Sequence, residues 1–317
     1  MSAEKVHIIL NPAAGGGRAG KVMPGLIPEI EKRFGSEFIL HITRAPLDAT
    51  RLAREAADAG AQLIIAAGGD GTVQEVINGM FRGRIPINPS CFLGILDFGT
   101  GKGLAQTLKL PGSHLAQLDL IIRSSASSVD VGLISFNDTN GNPCERFFIS
   151  ECQTGIGSSV AERVHAGYKF LGGKMAFGLV SMAQAICYKA NNITMQFDDQ
   201  APVTERLIGV VIGNCNCCAG GMKLTPTARP DDGYLDILCI HEMSMHERLL
   251  NFPKIYSGNH IYSKPFTIGQ NRRIRLTSDE TLMIEADGEM LGMLPCHVEI
   301  LPSILKVKYK PLNPWKI

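Results

Sequence analysis

Gly68-Gly69-Asp70-Gly71-Thr72 sets one carboxylate and one hydroxyl among three glycines. Glycines let backbone N–H groups approach an anion closely, and a helix that starts at such a turn adds partial positive charge. That is the chemistry of a phosphate cradle. A carboxylate beside phosphate is repelled unless a divalent cation or a hydroxyl proton lies between them, so Asp70 points to Mg²⁺ or proton transfer at the same place. The elements that hold the turn are legible on both sides. Leu63 to Ala67 is an apolar run of strand length, and Val73, Val76, Ile77 and Met80 recur at helical spacing with Glu75 facing away. A strand runs into a glycine turn, and the turn opens a helix.

A second glycine stretch, Asn11-Pro12-Ala13-Ala14-Gly15-Gly16-Gly17, follows the apolar run Val6 to Leu10. Gly15, Gly17 and Gly20 match G-x-G-x-x-G, and Gly15 to Lys21 matches most of a P-loop. The P-loop reading fails at Val22, where a hydroxyl should hold Mg²⁺. The dinucleotide reading lacks an acid after the next strand, which finishes His41-Ile42-Thr43-Arg44, although Arg44 leaves a 2′-phosphate open.

The 317 residues suffice for two domains with a substantial core. A formal net charge of +1 gives no electrostatic reason to expect nucleic acid. Met1 to Lys5 lead straight into a strand, so no signal peptide is expected. Phe170 to Ala190 is the longest apolar-looking stretch, but Lys174, Gln184 and several glycines make it a poor bilayer span. The nine cysteines read as reduced cytosolic thiols, with Cys215, Cys217 and Cys218 expected in a buried strand rather than around zinc.

Strand and helix patterns alternate over the first 133 residues. Helices are expected from Met23 to Phe34, with a start kinked by Pro24 and Pro28, from Asp48 (as cap) to Ala59, from Gly99-Thr100-Gly101 onward, and from His114 to Ile122. This predicts a doubly wound α/β domain with a parallel sheet, its ligands past the carboxyl ends of the strands. The loops at Asn11, Thr43, Gly68 and Gly99 all fall there. From residue 134 to 301 the pattern becomes short strands at 146–151, 193–198, 206–213, 234–240, 266–268, 272–277, 282–286 and 296–301, with one helix between Lys174 and Lys189. That predicts an antiparallel β-sandwich. Residues 302–317 return to the first domain in this reading, through the alternating stretch Ile304 to Tyr309.

Gly68 to Thr72, continued as Glu75-Val76-Ile77-Asn78-Gly79, resembles the nucleotide signature of the diacylglycerol kinase catalytic-domain family, the soluble bacterial lipid kinases related to sphingosine and ceramide kinases. The five-residue core is shared with NAD kinases. Asn11-Pro12 resembles the family's NPxSG loop, with Ala14 in place of Ser. Gly94-Ile95-Leu96 through Gly99-Thr100-Gly101 resembles its second phosphate loop. Gly213-Asn214, Gly220-Gly221-Met222 and Pro226, running on to Asp231-Asp232-Gly233-Tyr234-Leu235-Asp236, resemble its middle motif, and Asp287-Gly288-Glu289 its terminal DGE motif. The resemblance spans nearly the whole chain. It implies a NAD-kinase-like nucleotide domain binding ATP through Asn11, Thr43, Gly68, Gly69, Asp70, Gly71, Thr72, Glu75, Gly99 and Thr100. It implies Glu289 as the acceptor of the substrate's hydroxyl proton, with Asp70 organising Mg²⁺; in the sphingosine kinases the matching aspartate is the base, so the division between Asp70 and Glu289 stays open. It also implies a second Mg²⁺ held by Asp232 and the main-chain carbonyls of Arg229 and Tyr234, and a charge network of Asp130 with Lys169 joining the domains.

The chain departs from the family at Lys102-Gly103, where Asn-Asp is usual. A carboxylate is missing and a cation is added, which fits either a site that has drifted towards inactivity or one that serves a different ligand, with Lys102 pairing an anion such as ATP phosphate or an acidic lipid headgroup. The expected activity is an ATP- and Mg²⁺-dependent lipid kinase converting diacylglycerol to phosphatidic acid, cytoplasmic and peripheral to the membrane when active. Sphingoid bases, ceramide or phosphatidylglycerol as acceptor, an NAD kinase, and a non-catalytic lipid- or nucleotide-binding protein are the alternatives. Phe170 to Cys187 reads first as a core helix and second as a candidate lipid contact, and a homodimer is the oligomeric form considered.

Overall fold

The computed structural model describes residues 6–138, 140–165 and 188–311. Lys169, the stretch Phe170 to Cys187 and nearly all of the helix expected between Lys174 and Lys189 lie outside the described residues. The described residues up to Val129, together with those from Ser303, form one compact unit, and those from Asp130 to Pro302 form a second.

In the first unit β1 (Val6–Leu10) pairs in parallel with β2 (Ile39–Ile42) and β3 (Leu63–Gly68). Two short strands, β4 (Phe81–Arg82) and β5 (Ile85–Pro86), make a hairpin of their own. Strand β6 (Phe92–Asp97) lies parallel to β3 on its other side. Val307 pairs in parallel with Leu93 of β6 and completes the far edge. Successive side chains of a strand point to opposite faces. Val6, Ile8, Leu10, Leu63, Ile65 and Ala67 therefore share one face, where they form a core with α1 (Ala14–Phe34) and α5 (His114–Arg123). Ile9, Ile64 and Ala66 are fully buried on the other face. There the sheet carries α2 (Asp48–Asp58) and α3 (Asp70–Met80), through Leu52, Ala53, Ala56, Val73, Val76 and Ile77. The doubly wound expectation holds. A side chain at Gly79 would strike the Thr50 carbonyl and Ala53, so this glycine is what lets α2 and α3 cross closely.

Three local expectations are corrected. The first helix follows directly on the glycines: Gly15, Gly16 and Gly17 have φ of 62°, 68° and 85°, and the chain is helical from there to Phe34 with both prolines inside. Asp48 does not cap α2. Leu47 holds the cap position, and the Asp48 carboxylate accepts the Arg44 N–H at 2.8 Å. Gly99-Thr100-Gly101 stay in the loop, and α4 (Gly103–Thr107) begins after Lys102.

The strand pairings described for the second unit are antiparallel. The unit contains most of β7 (Ala126–Asn137), then β8 (Pro143–Phe148), β9 (Glu151–Gly155) and α6 (Ile156–His165). It continues with β10 (Asn191–Phe197), β11 (Val203–Gly213), β12 (Leu235–His241), α7 (Met245–Ser257), β13 (Phe266–Asn271), β14 (Arg273–Thr277) and β15 (Met283–Ala286). The last strand, β16 (Glu289–Lys308), carries its end back into the first unit. The pairings β11–β10–β14–β16–β15–β9–β11 return to their start. Ile193, Met195, Val210, Ile212, Ile274, Leu276, Ile284 and Val298 fill the interior, the pairs within β10, β11 and β14 at period two. A register shift in β11 between Leu207 and Gly209 turns Ile208 and Val211 to the opposite face, where Leu238, Ile240, Met222 and Phe266 form a second core. Cys215, Cys217 and Cys218 are buried as expected, but in the loop after β11 and not in a strand, because the ladder ends at Gly213.

Candidate functional site

Because the sheet of the first unit is parallel, Asn11, Thr43, Gly68 and the Gly99 loop all leave the same edge. Their backbones touch. A Cβ on Gly15 would strike the Phe98 carbonyl, which also accepts Arg18 Nη2 at 3.0 Å. A Cβ on Gly99 would lie 2.9 Å from the Gly69 Cα, and one on Gly68 would run into the Thr72 side chain. Three glycine loops therefore converge at distances that only glycine permits.

Asn11 Nδ2 donates to Thr72 Oγ1 at 3.1 Å, and Asn11 Oδ1 accepts the Ala13 N–H at 3.1 Å. The Thr72 hydroxyl is thus aimed by the first loop. The Thr43 N–H donates to the Leu10 carbonyl at 2.9 Å, and Thr100 stands exposed in the third loop. Glu75 corrects the outward-facing expectation. It is half-buried, its Oε2 accepts the Ala49 N–H at 3.1 Å, and its carbonyl accepts Thr50 Oγ1 at 3.0 Å. The first N–H groups of α2 lack partners within the helix, and Glu75 supplies one.

Asp70 Oδ2 accepts the Gly103 N–H at 3.1 Å. Burial pushes the Asp70 carboxyl above its ordinary value, the Gly103 N–H opposes this, and the neighbouring Asp97 carboxylate adds to the rise. Asp97 is itself raised by burial, against the Gly99 N–H at 2.8 Å and the Lys102 ammonium at 3.9 Å. Two adjacent carboxylates held above their ordinary range are stabilised by a cation between them, and oxygen donors suit Mg²⁺. Sequence reasoning missed Asp97. Its signal was an acid at the carboxyl end of the apolar run Phe92 to Leu96. Lys102 takes a left-handed conformation, φ 59°, and its ammonium faces Asp97.

In the second unit Asp287 and Gly288, with φ of 48° and 88°, form the two-residue turn between paired Ala286 and Glu289. The Asp287 carboxylate accepts N–H bonds from Ile149 and Ser150 at 2.8 Å each and from Glu151 at 3.1 Å. The Glu285 carboxylate accepts the N–H of Gly288 and the side-chain amide of Gln153. Burial pushes Glu285 up to about 7, against those two bonds, with Asp287 and Glu289 adding repulsion. The turn is thus gripped from two sides, and half-buried Glu289 begins β16 directly after it.

Asp232 Oδ1 accepts the Tyr234 N–H at 3.0 Å, and Asp130 Oδ2 accepts the Gly233 N–H at 2.6 Å. Burial raises Asp232, the Tyr234 N–H lowers it, Asp236 and Asp130 raise it further, and Arg229 lowers it. Among the described residues no group of three or more His, Cys, Asp or Glu is placed to hold a metal. A set of one carboxylate and two carbonyls is of another kind, and the acidic surroundings of Asp232 suit a hard cation.

The same unit holds an apolar pocket between β11, β12, α6 and α7. Ile156, Val160, Val211, Ile240, Phe252 and Ile255 line it, and Gln153 and Arg248 stand at its wall.

Residues 5–134 match the family model described as diacylglycerol kinase catalytic domain, and residues 150–309 match the one described as YegS C-terminal NAD kinase beta sandwich-like domain. The chain belongs to the diacylglycerol kinase catalytic-domain family. It is therefore a lipid kinase, a phosphotransferase with an alcohol as acceptor. A diacylglycerol kinase of Staphylococcus epidermidis is 28% identical over 304 residues, 94% of this chain and 92% of that one. Another, of Staphylococcus carnosus, is 27% identical over 97% of this chain and 95% of its own length. A crystal structure from Bacillus anthracis shares the fold with a TM-score of 0.79 at 24% identity, over 97% of this chain and 96% of that one. No described helix is long and apolar enough to cross a membrane.

Proposed function

We propose that this lipid kinase transfers the γ-phosphoryl group of ATP to the free hydroxyl of diacylglycerol, forming phosphatidic acid. The observation that carries the reading is the convergence of the Gly15, Gly69 and Gly99 loops around Asp70. Backbone N–H groups, glycine contours and the start of α3 make an anion site there, and the Asp70–Asp97 pair asks for a cation. Asn11 and Thr72 orient the phosphates, with Thr43 and Thr100 as further nucleotide contacts. Glu75 supports this loop by fixing α2 against α3.

The acceptor's hydroxyl oxygen forms the new P–O bond, the bond to the β-phosphate breaks, ADP leaves, and the hydroxyl proton passes to Glu289. Pinning of the turn by Asp287 and Glu285 presents Glu289 in one orientation, which is what a general base requires. Mg²⁺ held by Asp70 and Asp97 would neutralise phosphate charge, and Asp232 with the Arg229 and Tyr234 carbonyls would hold a second ion that supports the loop. The apolar pocket beside α7 suits an acyl chain. The protein works in the cytoplasm and reaches its substrate at the membrane surface.

The test is a kinase assay on vesicles containing diacylglycerol, with and without chelation of Mg²⁺. Phosphatidic acid formed only with ATP and Mg²⁺ supports the reading. Transfer confined to ceramide, a sphingoid base or phosphatidylglycerol would replace the substrate, and no transfer to any lipid would overturn the reading.

A further inference from the structure

Helix α7 has more apolar surface than its packing uses. Arg248, Asn251, Phe252 and Ile255, at i, i+3, i+4 and i+7, face the apolar pocket. Met245, Leu249, Pro253 and Tyr256, at i, i+4, i+8 and i+11, make an adjoining stripe that is exposed to solvent, and Leu250 widens it at 57% exposure. The short turn Asn259–Tyr262 packs on the same helix and presents Tyr262 at 84% exposure. Lys254 Nζ ties the two together through Ser263 Oγ at 3.0 Å. Exposed apolar side chains gathered along one helix face and its adjoining turn mark an interaction surface.

Charge identifies the partner. Among residues 243–264 the exposed cations are Lys254 and Lys264, and the single acid is Glu247. That acid is used inside the helix's own capping box, where it accepts from Ser244 N and Oγ at 2.8 Å each. Leucine, methionine and tyrosine on one face with a cationic surround is the composition of a helix lying in a bilayer interface, where tyrosine sits at headgroup depth. We infer that α7 and the Tyr262 turn are the surface by which this protein settles on an anionic bilayer. The acyl pocket then opens from the other face of the same helix. The inference rests on the lipid-kinase reading, which requires an acceptor that resides in a membrane.

The test is co-sedimentation with vesicles of phosphatidylcholine, with and without phosphatidylglycerol, for the wild type, Leu249→Glu and Tyr256→Glu. Both positions are exposed and lie outside the pocket, and unchanged melting temperatures would show the fold intact. Wild-type binding should strengthen with phosphatidylglycerol and weaken with salt, and each variant should bind at least ~10-fold more weakly, the scale for removing one inserted apolar side chain. Kinase activity on a short-chain, water-soluble diacylglycerol should stay as in the wild type while activity on vesicles falls. Vesicle binding is read without turnover, so failure of the kinase reading and failure of the docking surface give different results. Equal vesicle binding by wild type and variants overturns the inference. So does a wild type that ignores vesicles, or one that forms a dimer which either substitution splits.

Discussion

The Asp287 carboxylate accepts the Ser150 N–H at 2.8 Å, and with the Ile149 and Glu151 N–H groups it closes a three-donor bond to the β8–β9 corner. A carboxylate so occupied is an anchor. In Asp287-Gly288-Glu289 the aspartate builds the turn and the glutamate is the residue it presents. Glu289→Gln should therefore lower turnover ~10²-fold or more, the usual scale for loss of a general base, with ATP affinity unchanged. Asp287→Ala should instead lower stability by roughly 2–4 kcal/mol by leaving buried donors unpaired. Steady-state kinetics and urea unfolding of the two variants separate the roles. Normal turnover in Glu289→Gln would move the base to Asp70.

Glu285 makes the stability of the second unit depend on pH. Its folded value is raised from 4.5 to about 7 by burial, so the native protein keeps a proton that the unfolded chain releases. The contribution is full below about pH 4.5 and is lost as pH rises to about 7. The neighbouring Asp287 and Glu289 carboxylates add to the rise by repulsion. Glu285→Gln should flatten this part of the curve, so the gap in melting temperature between wild type and variant shifts in favour of the variant from pH 5 to pH 7. Parallel curves would show that Glu285 does not titrate there.

The fold was legible where apolar spacing carried it. Leu52, Ala53, Ala56 and Ala57 of α2, and Val73, Val76 and Ile77 of α3, are buried as their periodicity requires. What escaped sequence reasoning depends on contacts between distant segments. Glu75 looked outward because its own helix gives it no partner, yet Ala49, 26 residues away, does. Asp97 needed the Gly69–Gly99 contact to become a neighbour of Asp70. Helix α7 did carry a local signal, the capping box of Ser244 and Glu247, but its split apolar pattern, half pocket and half surface, hid the period.

The Asp232 loop yields a metal prediction. If Asp232 with the Arg229 and Tyr234 carbonyls binds Mg²⁺, millimolar Mg²⁺ should raise the wild-type melting temperature, and Asp232→Ala should abolish that response. Differential scanning calorimetry in Mg²⁺ and in chelator decides it. Identical responses would leave Asp232 as a turn residue that holds the Tyr234 N–H.

Lys102-Gly103 can be tested against the geometry around Asp70. Gly103→Asp adds a third carboxylate near Asp70 and Asp97, so Mg²⁺-free ATP should bind more weakly while Mg²⁺ affinity rises. Lys102→Asn removes the cation facing Asp97 and suits the left-handed backbone better, so it should weaken ATP binding while stabilising the fold by up to about 1 kcal/mol. Calorimetric titration with ATP, with and without Mg²⁺, reads both. Unchanged affinities in both variants would show that these residues do not face the nucleotide.

The central claim is that the glycine loops around Asp70 deliver phosphate to a lipid hydroxyl. One measurement tests it most directly: incubation with γ-labelled ATP, Mg²⁺ and an equimolar mixture of diacylglycerol, ceramide, phosphatidylglycerol and NAD, followed by identification of the labelled product by mass. The account predicts label in phosphatidic acid and its loss in Asp70→Asn. Label in NADP, or in no acceptor at all, would contradict it.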